Sequence, residues 1–273
     1  MTNGTCKLTG ETGKFVKSHL LPKALTRPIK PGLPLIQSGS GAPAVIRRDS
    51  WYDRSLVTAD GEAILAEFDD WAIKFLRKSK LIWSGWGPRQ SLKGLYTQFA
   101  GTPNGIRIVE TEQPEMLRLF FLSLLWRAAA TKRPEFSEVN LSDTDLAKLQ
   151  HMLIESSAEP QDFFPISLIQ LSTRGVPHNM SPIHQIKEIP NFENDQVIEL
   201  SIFRFYLDGL IIHFDFEVLP NGGNDPNNLM IIGENNKLQI STVEYENSFQ
   251  RDNLRLVVSE ALTWPKGYHF EEI

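Results

Sequence analysis

The chain has 273 residues, of which 41% are hydrophobic and 22% are charged, and this composition is that of a globular protein with a sizeable core. Its single cysteine, Cys6, excludes an internal disulfide framework and a multi-cysteine zinc site, so a reducing cytoplasm is the expected location. The sequence shows no secretion-signal pattern and no apolar stretch of the ~20 residues that a membrane span needs.

The charge is unevenly distributed along the chain. The formal net charge is −5, which argues against a protein that binds nucleic acid over its whole surface. Residues 1–60, however, hold nine Lys/Arg against four Asp/Glu, while the remaining residues hold 19 Lys/Arg against 29 Asp/Glu. A basic head on an acidic body favours a local site for a polyanion such as DNA or RNA. The alternative is a solvated, loop-rich terminus with a chance excess of bases.

The first 80 residues combine turn formers with one helix. Residues 7–14, which include Gly10 and Gly13, predict a turn that joins two short strands. Five prolines between Pro22 and Pro43 predict a long surface loop. Over Glu62–Lys80 the apolar residues recur at intervals of three and four, and this spacing predicts an amphipathic helix.

The middle of the chain is predicted to be helical. Pro114–Thr131 is apolar nearly all round, which is typical of a helix buried in the centre of a fold. Ser142 is placed to cap the N-terminus of a further helix. Between these and the first helix, Trp83 and Trp86 lie in an aromatic–glycine turn. They either fill a gap beside the helix or stack nucleic-acid bases.

The C-terminal region changes to strand patterns. Val197–Val218 alternates with period two around Asp208-Gly209, which predicts a hairpin with a two-residue turn. Two more elements are predicted: a second hairpin from Asn228–Gly233 and Lys237–Val243, and a closing helix over Leu254–Leu262. The fold class is therefore α+β, with a helical middle and an antiparallel β C-terminal region.

One N-terminal segment carries a family resemblance. Cys6-Lys7-Leu8-Thr9-Gly10 is followed by Lys17-Ser18-His19-Leu20-Leu21-Pro22-Lys23. This succession resembles the start of the HNH (ββα-metal) nuclease fold. It is similar to a group of bacterial proteins in which a Cys-x-x-Cys knuckle precedes Lys-Ser-His-Ile-Ile-Pro-Lys and a second Cys-x-x-Cys opens an amphipathic helix. The matching second segment here is 56–62, and the helical stretch 122–129 also resembles that group, so the likeness covers roughly residues 5–155.

The sequence therefore predicts three parts. The resemblance implies a degenerate ββα or treble-clef-like head over residues 1–80 and a helical body over 81–160, and the strand patterns predict a β-rich region over 161–273. Three of the four cysteines expected in the group are absent, because Thr9, Thr58 and Gly61 occupy their places. One thiolate cannot hold a tetrahedral zinc ion, so no structural zinc is expected, and Cys6 is expected to be a buried structural residue.

The resemblance also implies that His19 would be the general base. The second histidine that binds the cation in HNH nucleases is absent from the first helix, so its acids are the candidate ligands of Mg²⁺ or Mn²⁺. Among these, Glu62 and Asp69 lie two turns apart on one helix face. The candidate phosphate contacts are Lys17, Lys23 and Arg27. Ser18 departs from the acid that many HNH nucleases have at its position. The alternatives are a turn histidine at position 19 and a solvated helix face carrying the two acids.

Two functional hypotheses follow. The first is a metal-dependent HNH-type nuclease, or a close descendant, that hydrolyses DNA or RNA in a bacterial or prophage setting. The second is a catalytically inactive HNH-derived module that binds a protein or nucleic acid.

Two sets of histidines outside the head are weaker candidates for a site. His178 and His184 are expected in loops, and the alternating residues His213, Asp215 and Glu217 are expected on a solvated strand face, with a metal face as the alternative.

Overall fold

The computed structural model describes residues 2–27, 35–39, 42–47, 50–191, 196–219, 228–233 and 235–263. Within these ranges the helices are α1 (Ala59–Lys78), α2 (Pro114–Ala130), α3 (Asp143–Ile154) and α4 (Phe249–Thr263). The strands are β1 (Asn3–Thr5), β2 (Thr12–Lys14), β3 (Ser18–His19), β4 (Leu35–Gly39), β5 (Ala42–Arg47), β6 (Tyr52–Asp53), β7 (Thr97–Gln98), β8 (Gly105–Glu110), β9 (Ile166–Leu171), β10 (His178–Met180), β11 (Ile183–Asn191), β12 (Gln196–Leu207), β13 (Leu210–Asp215) and β14 (Lys237–Val243). The α+β class is confirmed.

A seven-stranded sheet forms the largest layer, in the order β11-β12-β13-β9-β14-β8-β7. The predicted hairpin is confirmed, because β12 and β13 pair antiparallel and are joined by Asp208 and Gly209. Both turn residues have positive φ, 50° at Asp208 and 88° at Gly209, as a two-residue turn of this kind requires. The sheet is antiparallel except where β14 pairs parallel with β9.

The main core joins the helices to this sheet. α2 is buried on every side, as its apolar sequence predicts, and it packs against α1 and α3. One cluster of buried side chains includes Cys6 and Leu8 of the head, Phe68 of α1, Phe120 of α2 and Ile212 of β13. The head therefore shares its core with the helices and the sheet.

The remaining helix predictions are confirmed with shifted ends. α1 begins three residues before the predicted start, and α4 begins at Phe249 rather than Leu254. The predicted cap of α3 is present, since the Oγ of Ser142 accepts a hydrogen bond from the backbone N–H of Asp145 at 3.1 Å. No helix in the described part of the chain is long and apolar enough to cross a bilayer.

Three strand predictions need correction. The proline-rich stretch is not all loop, because β4 pairs antiparallel with β5 and parallel with β10; residues 28–34 lie outside the described ranges. The prediction of a second hairpin is wrong, since β14 pairs with β8 and β9, and within residues 228–233 only Ile231 forms a β-bridge, an isolated one with Ser167. The helical middle also supplies β7 and β8 to the main sheet. The pairings of β4 with β10 and of β14 with β8 and β9 join segments that are distant in sequence, so a local pattern could not identify them, whereas β5 directly follows β4 along the chain.

Candidate functional site

The N-terminal turn is built around a buried cysteine. β1 and β2 pair antiparallel, and the turn between them is closed by a hydrogen bond from the N–H of Gly10 to the carbonyl of Cys6 at 2.9 Å. The backbone N–H of Thr9 donates to the Sγ of Cys6 at 3.5 Å. Cys6 is 1% exposed, as expected of a structural cysteine. The turn is fastened to the segment before α1 by a hydrogen bond from the N–H of Lys7 to the carbonyl of Leu56.

Thr9, Thr58 and Gly61, where the group that the sequence resembles has its other cysteines, all lie close to this sulfur. Burial raises the pKa of the Cys6 thiol, but hydrogen bonds with Thr9 and Thr58 outweigh this effect, and the pKa lies below its ordinary value. A Cβ atom added to Gly61 would lie 2.6 Å from the Cys6 Sγ. The structure therefore brings Cys6, Thr9, Thr58 and Gly61 together, although no local pattern links residues 6–9 with residues 58–61.

His19 lies on a short strand pair beside this turn. β3 and β6 pair antiparallel, with Ser18 opposite Asp53 and His19 opposite Tyr52. The His19 and Tyr52 rings meet edge to face, with centroids 6.3 Å apart. His19 is half-buried, so the strand pair positions its ring at the surface of the head.

The two carboxylates proposed as metal ligands have different surroundings. Both oxygens of Asp69 accept hydrogen bonds from the guanidinium of Arg127, at 2.8 and 3.0 Å. Arg127 also donates to the backbone carbonyl of His19 at 3.4 Å, so this one side chain links the two residues. Glu62 lies in the first turn of α1, and its Oε2 is buried without a hydrogen-bond partner within the described structure.

Asp69 would have to lose its ion pair with Arg127 before it could bind a divalent cation together with Glu62. The Arg127 side chain is only 2% exposed, while that of Asp69 is 20% exposed. No group of three or more His, Cys, Asp or Glu side chains has a metal-binding arrangement among the residues that the structure describes. As it stands, Asp69 therefore fits an ion pair better than it fits a divalent cation.

The three candidate phosphate contacts lie on the same head. The Lys17 Nζ is 4.0 Å from the centre of the Tyr52 ring, a cation–π contact. Lys23 is half-buried at the start of a short 3-10 helix, Lys23–Leu25, and Arg27 is exposed just after it. The sequence did not single out Tyr52, Arg54 or Arg127 as part of this site, because each is more than 30 residues from His19 along the chain.

The weaker histidine candidates require correction. His178 is not a loop residue: it lies in β10, is 4% exposed and stacks on Tyr206 with ring centroids 4.6 Å apart. His184 is likewise in a strand, β11. The face that carries His213 is solvated only in part: His213 is half-buried, Asp215 is 0% exposed and pairs with Lys187 at 3.3 Å, and Glu217, just after β13, is exposed. The contact of Asp215 with Lys187 of the strand β11 is one that the alternation could not reveal.

Base stacking by the two tryptophans is also excluded. Trp83 is 1% exposed and Trp86 is 2% exposed, and both pack in a buried cluster with Tyr206 and Tyr245. The Nε1 of Trp86 donates to the carbonyl of Lys80 at 2.9 Å. The prediction that they fill the gap beside α1 is confirmed.

No family model, no curated protein and no solved structure matches the chain. Its function therefore has to be inferred from the geometry of the head itself.

Proposed function

We propose that the protein is a non-catalytic descendant of the HNH nucleases that binds nucleic acid through its basic head. The observation that carries this proposal is the position of Arg127. Its guanidinium bonds both oxygens of Asp69 and the backbone of His19. The permanently charged guanidinium of Arg127 thus binds both oxygens of Asp69, the carboxylate that a nuclease would use to bind its cation.

The arrangement around Cys6 supports the HNH ancestry. In the group that the sequence resembles, two Cys-x-x-Cys pairs meet at one zinc ion. Here the corresponding positions, Thr9, Thr58 and Gly61, contact or closely approach the Cys6 sulfur. Hydrogen bonds and apolar packing would replace the metal, which accounts for a folded turn with only one thiol.

The charge of the head supports nucleic acid as the partner. Lys17 and Arg54 both lie against the ring of Tyr52, at 4.0 and 5.5 Å from its centre. Lys132 and Arg133 lie next to the same strand, and they line one surface hollow with Arg54. Clustered cations bind a phosphate backbone without reading sequence and release counterions when they do so.

Binding can be tested with fluorescently labelled 20-residue single strands and duplexes. We expect the dissociation constant to rise steeply with salt. In the triple variant K17A/K23A/R27A, the slope of log K against log salt should fall by up to about three, since each lost phosphate contact removes about one. The matched control, K74A/K78A/K93A, removes the same charge from exposed sites elsewhere. Equal effects of the two triple variants, or no binding by the wild type, would contradict the proposal.

Metal-dependent cleavage is the second candidate function. The observation that favours it is the Glu62 Oε2, a buried carboxylate oxygen that lacks a hydrogen-bond partner in the described structure and is available to a cation. His19 would then take a proton from the attacking water. In this case the wild type would cut DNA or RNA in Mg²⁺ or Mn²⁺, and H19A would lower the rate by about 10²–10⁴-fold. The non-catalytic proposal expects no cleavage by either protein.

A further inference from the structure

A surface hollow lies next to the His19 strand pair. It has a volume of about 470 Å³ and is formed by β6, the two residues after it and the segment that follows α2. Its lining residues are Tyr52, Asp53, Arg54, Ser55, Lys132, Arg133 and Pro134. The volume lies within the range of about 300–1,000 Å³ that small-molecule sites occupy.

Cations converge on this hollow. Arg54 and Lys132 are exposed, and neither forms a hydrogen bond or an ion pair with any described residue. Lys7 lies close behind, with its Nζ donating to the carbonyl of Ala130. Burial is the main cause that lowers the pKa of Lys7. The nearby charge of Asp53 raises this pKa, and the charge of Lys132 lowers it further. Positive charge is therefore concentrated here beyond what the neighbouring side chains offset.

The two carboxylates nearby are already engaged. The Asp53 Oδ1 accepts hydrogen bonds from the backbone N–H and the hydroxyl of Ser55, both at 2.8 Å, and its Oδ2 accepts from the Thr131 hydroxyl at 2.8 Å. Glu135 forms a two-pronged pair with Arg133, at 2.7 and 3.2 Å. Neither acid pairs with Arg54 or Lys132, so these two cations are available to an external anion.

We propose that this hollow binds the 5′-phosphate of a nucleotide, with Arg54 and Lys132 on the phosphate and the Pro134 ring against the nucleoside. The inference rests on the proposed function and names the part of the nucleic acid that this site takes. A terminal phosphate carries a charge of about −1.5 to −2, more than the single charge of a backbone phosphodiester, and so matches paired cations better. The planar fork of Arg54 suits phosphate oxygens.

The test compares three probes on the full chain: a ten-residue oligothymidylate with a 5′-phosphate, the same strand with a 5′-hydroxyl, and thymidine 5′-monophosphate. We expect the 5′-phosphate to tighten binding of the strand by about tenfold. The double variant R54A/K132A should abolish that difference, whereas K74A/K93A, which removes the same charge from exposed sites, should retain it. Melting curves of both variants would verify that they fold.

The outcomes separate this site from the wider proposal. If both strands bind equally in the wild type and R54A/K132A changes neither, the hollow is not a phosphate site, although nucleic-acid binding stands. If only thymidine 5′-monophosphate binds and R54A/K132A abolishes this, the site holds a free nucleotide and the nucleic-acid proposal fails. If the wild type binds none of the three probes, the proposal of a phosphate site is wrong.

Discussion

The surroundings of Asp69 distinguish two hypotheses for this residue, a structural ion pair with Arg127 and a metal ligand. Asp69 reaches solvent with a fifth of its side chain, while Arg127 is enclosed and donates to three different residues. A buried charge that loses its partner is costly, because neither water nor another group can replace the lost interaction. A metal ligand that faced an open site would have the opposite property, since its removal would relieve repulsion.

We therefore expect D69A to lower the free energy of unfolding by about 3 kcal/mol, because it leaves the Arg127 guanidinium buried without its carboxylate. R127M should cost less, since the Asp69 that remains is partly exposed. Urea unfolding of the three proteins measures both changes. The control D70A alters an exposed neighbour on the same helix and should stay within about 0.5 kcal/mol. A neutral or stabilising D69A would show that the pair has no structural role.

Among the secondary-structure elements, the turn between β1 and β2 and the start of α1 bring four positions together, namely those at which the group that the sequence resembles has cysteines. Either a metal ion or close packing must hold these four positions together, because they belong to two segments that are about 50 residues apart in the chain. Here Gly61 leaves room for the Cys6 sulfur, because a Cβ atom at position 61 would approach that sulfur to 2.6 Å. A glycine at this position therefore suits a turn that is packed around a single thiol.

Cysteines introduced at positions 9, 58 and 61 should create a zinc site. We expect the variant T9C/T58C/G61C to bind about one zinc ion per chain, because tetrahedral Cys₄ coordination needs only side chains at positions that already converge. Without zinc the variant should melt below the wild type, since the side chain introduced at position 61 and the Cys6 sulfur would compete for space. Zinc should raise its melting temperature, and a chelator should reverse the gain.

The matched control adds C6A to that variant and removes one of the four ligands. It should bind zinc far more weakly, which elemental analysis and a competition titration with a chromogenic chelator would measure. If the variant with four cysteines takes up no zinc, or if the C6A control binds it equally well, the four positions do not form a knuckle.

Some elements could be predicted from sequence and others could not. α1, α2, the cap of α3 and the hairpin of β12 and β13 follow from patterns within a single segment. The pairing of β14 with β8 and β9 does not, because its partners are distant in the chain. The site divides in the same way. His19 and Lys17 lie in the one segment whose sequence resembles the HNH motif, whereas Arg127 reaches Asp69 from 58 residues away, and Tyr52 meets His19 only through strand pairing.

At the scale of the whole molecule, the far side of the main sheet contains buried titratable groups. Burial lowers the pKa of His178 to about 4, and burial with the charges of Lys187 and Arg204 lowers the pKa of His213 to about 3. His178 also connects elements: its Nδ1 bonds the carbonyl of Val176 at 2.7 Å, and Gln250 of α4 bonds its Nε2 at 2.8 Å. The neutral imidazole suits both contacts, because Nδ1 donates and Nε2 accepts.

These pKa values predict that acid destabilises the fold. Between pH 6.5 and about 4, both histidines take up protons in the unfolded chain but not in the folded one, so stability falls as the pH falls. Asp208 acts in the opposite direction, since burial raises its pKa to about 6 and the folded state takes up a proton there first. Two protons against one leave the unfolded chain with about one extra proton, so the free energy of unfolding should fall by roughly 1 kcal/mol per pH unit between pH 6 and about 4.

Substitution of His178 tests the origin of this slope. In H178N the remaining contributions of His213 and Asp208 nearly cancel, so the free energy of unfolding should become almost independent of pH between about 4.5 and 6. The variant should also be less stable than the wild type at pH 8, because the contact with Gln250 is altered. Urea unfolding at intervals of half a pH unit measures both effects. H184N replaces an exposed histidine on β11 and should keep the wild-type slope. If H178N keeps that slope as well, the neutral His178 between α4 and the sheet is not what makes the fold acid-sensitive.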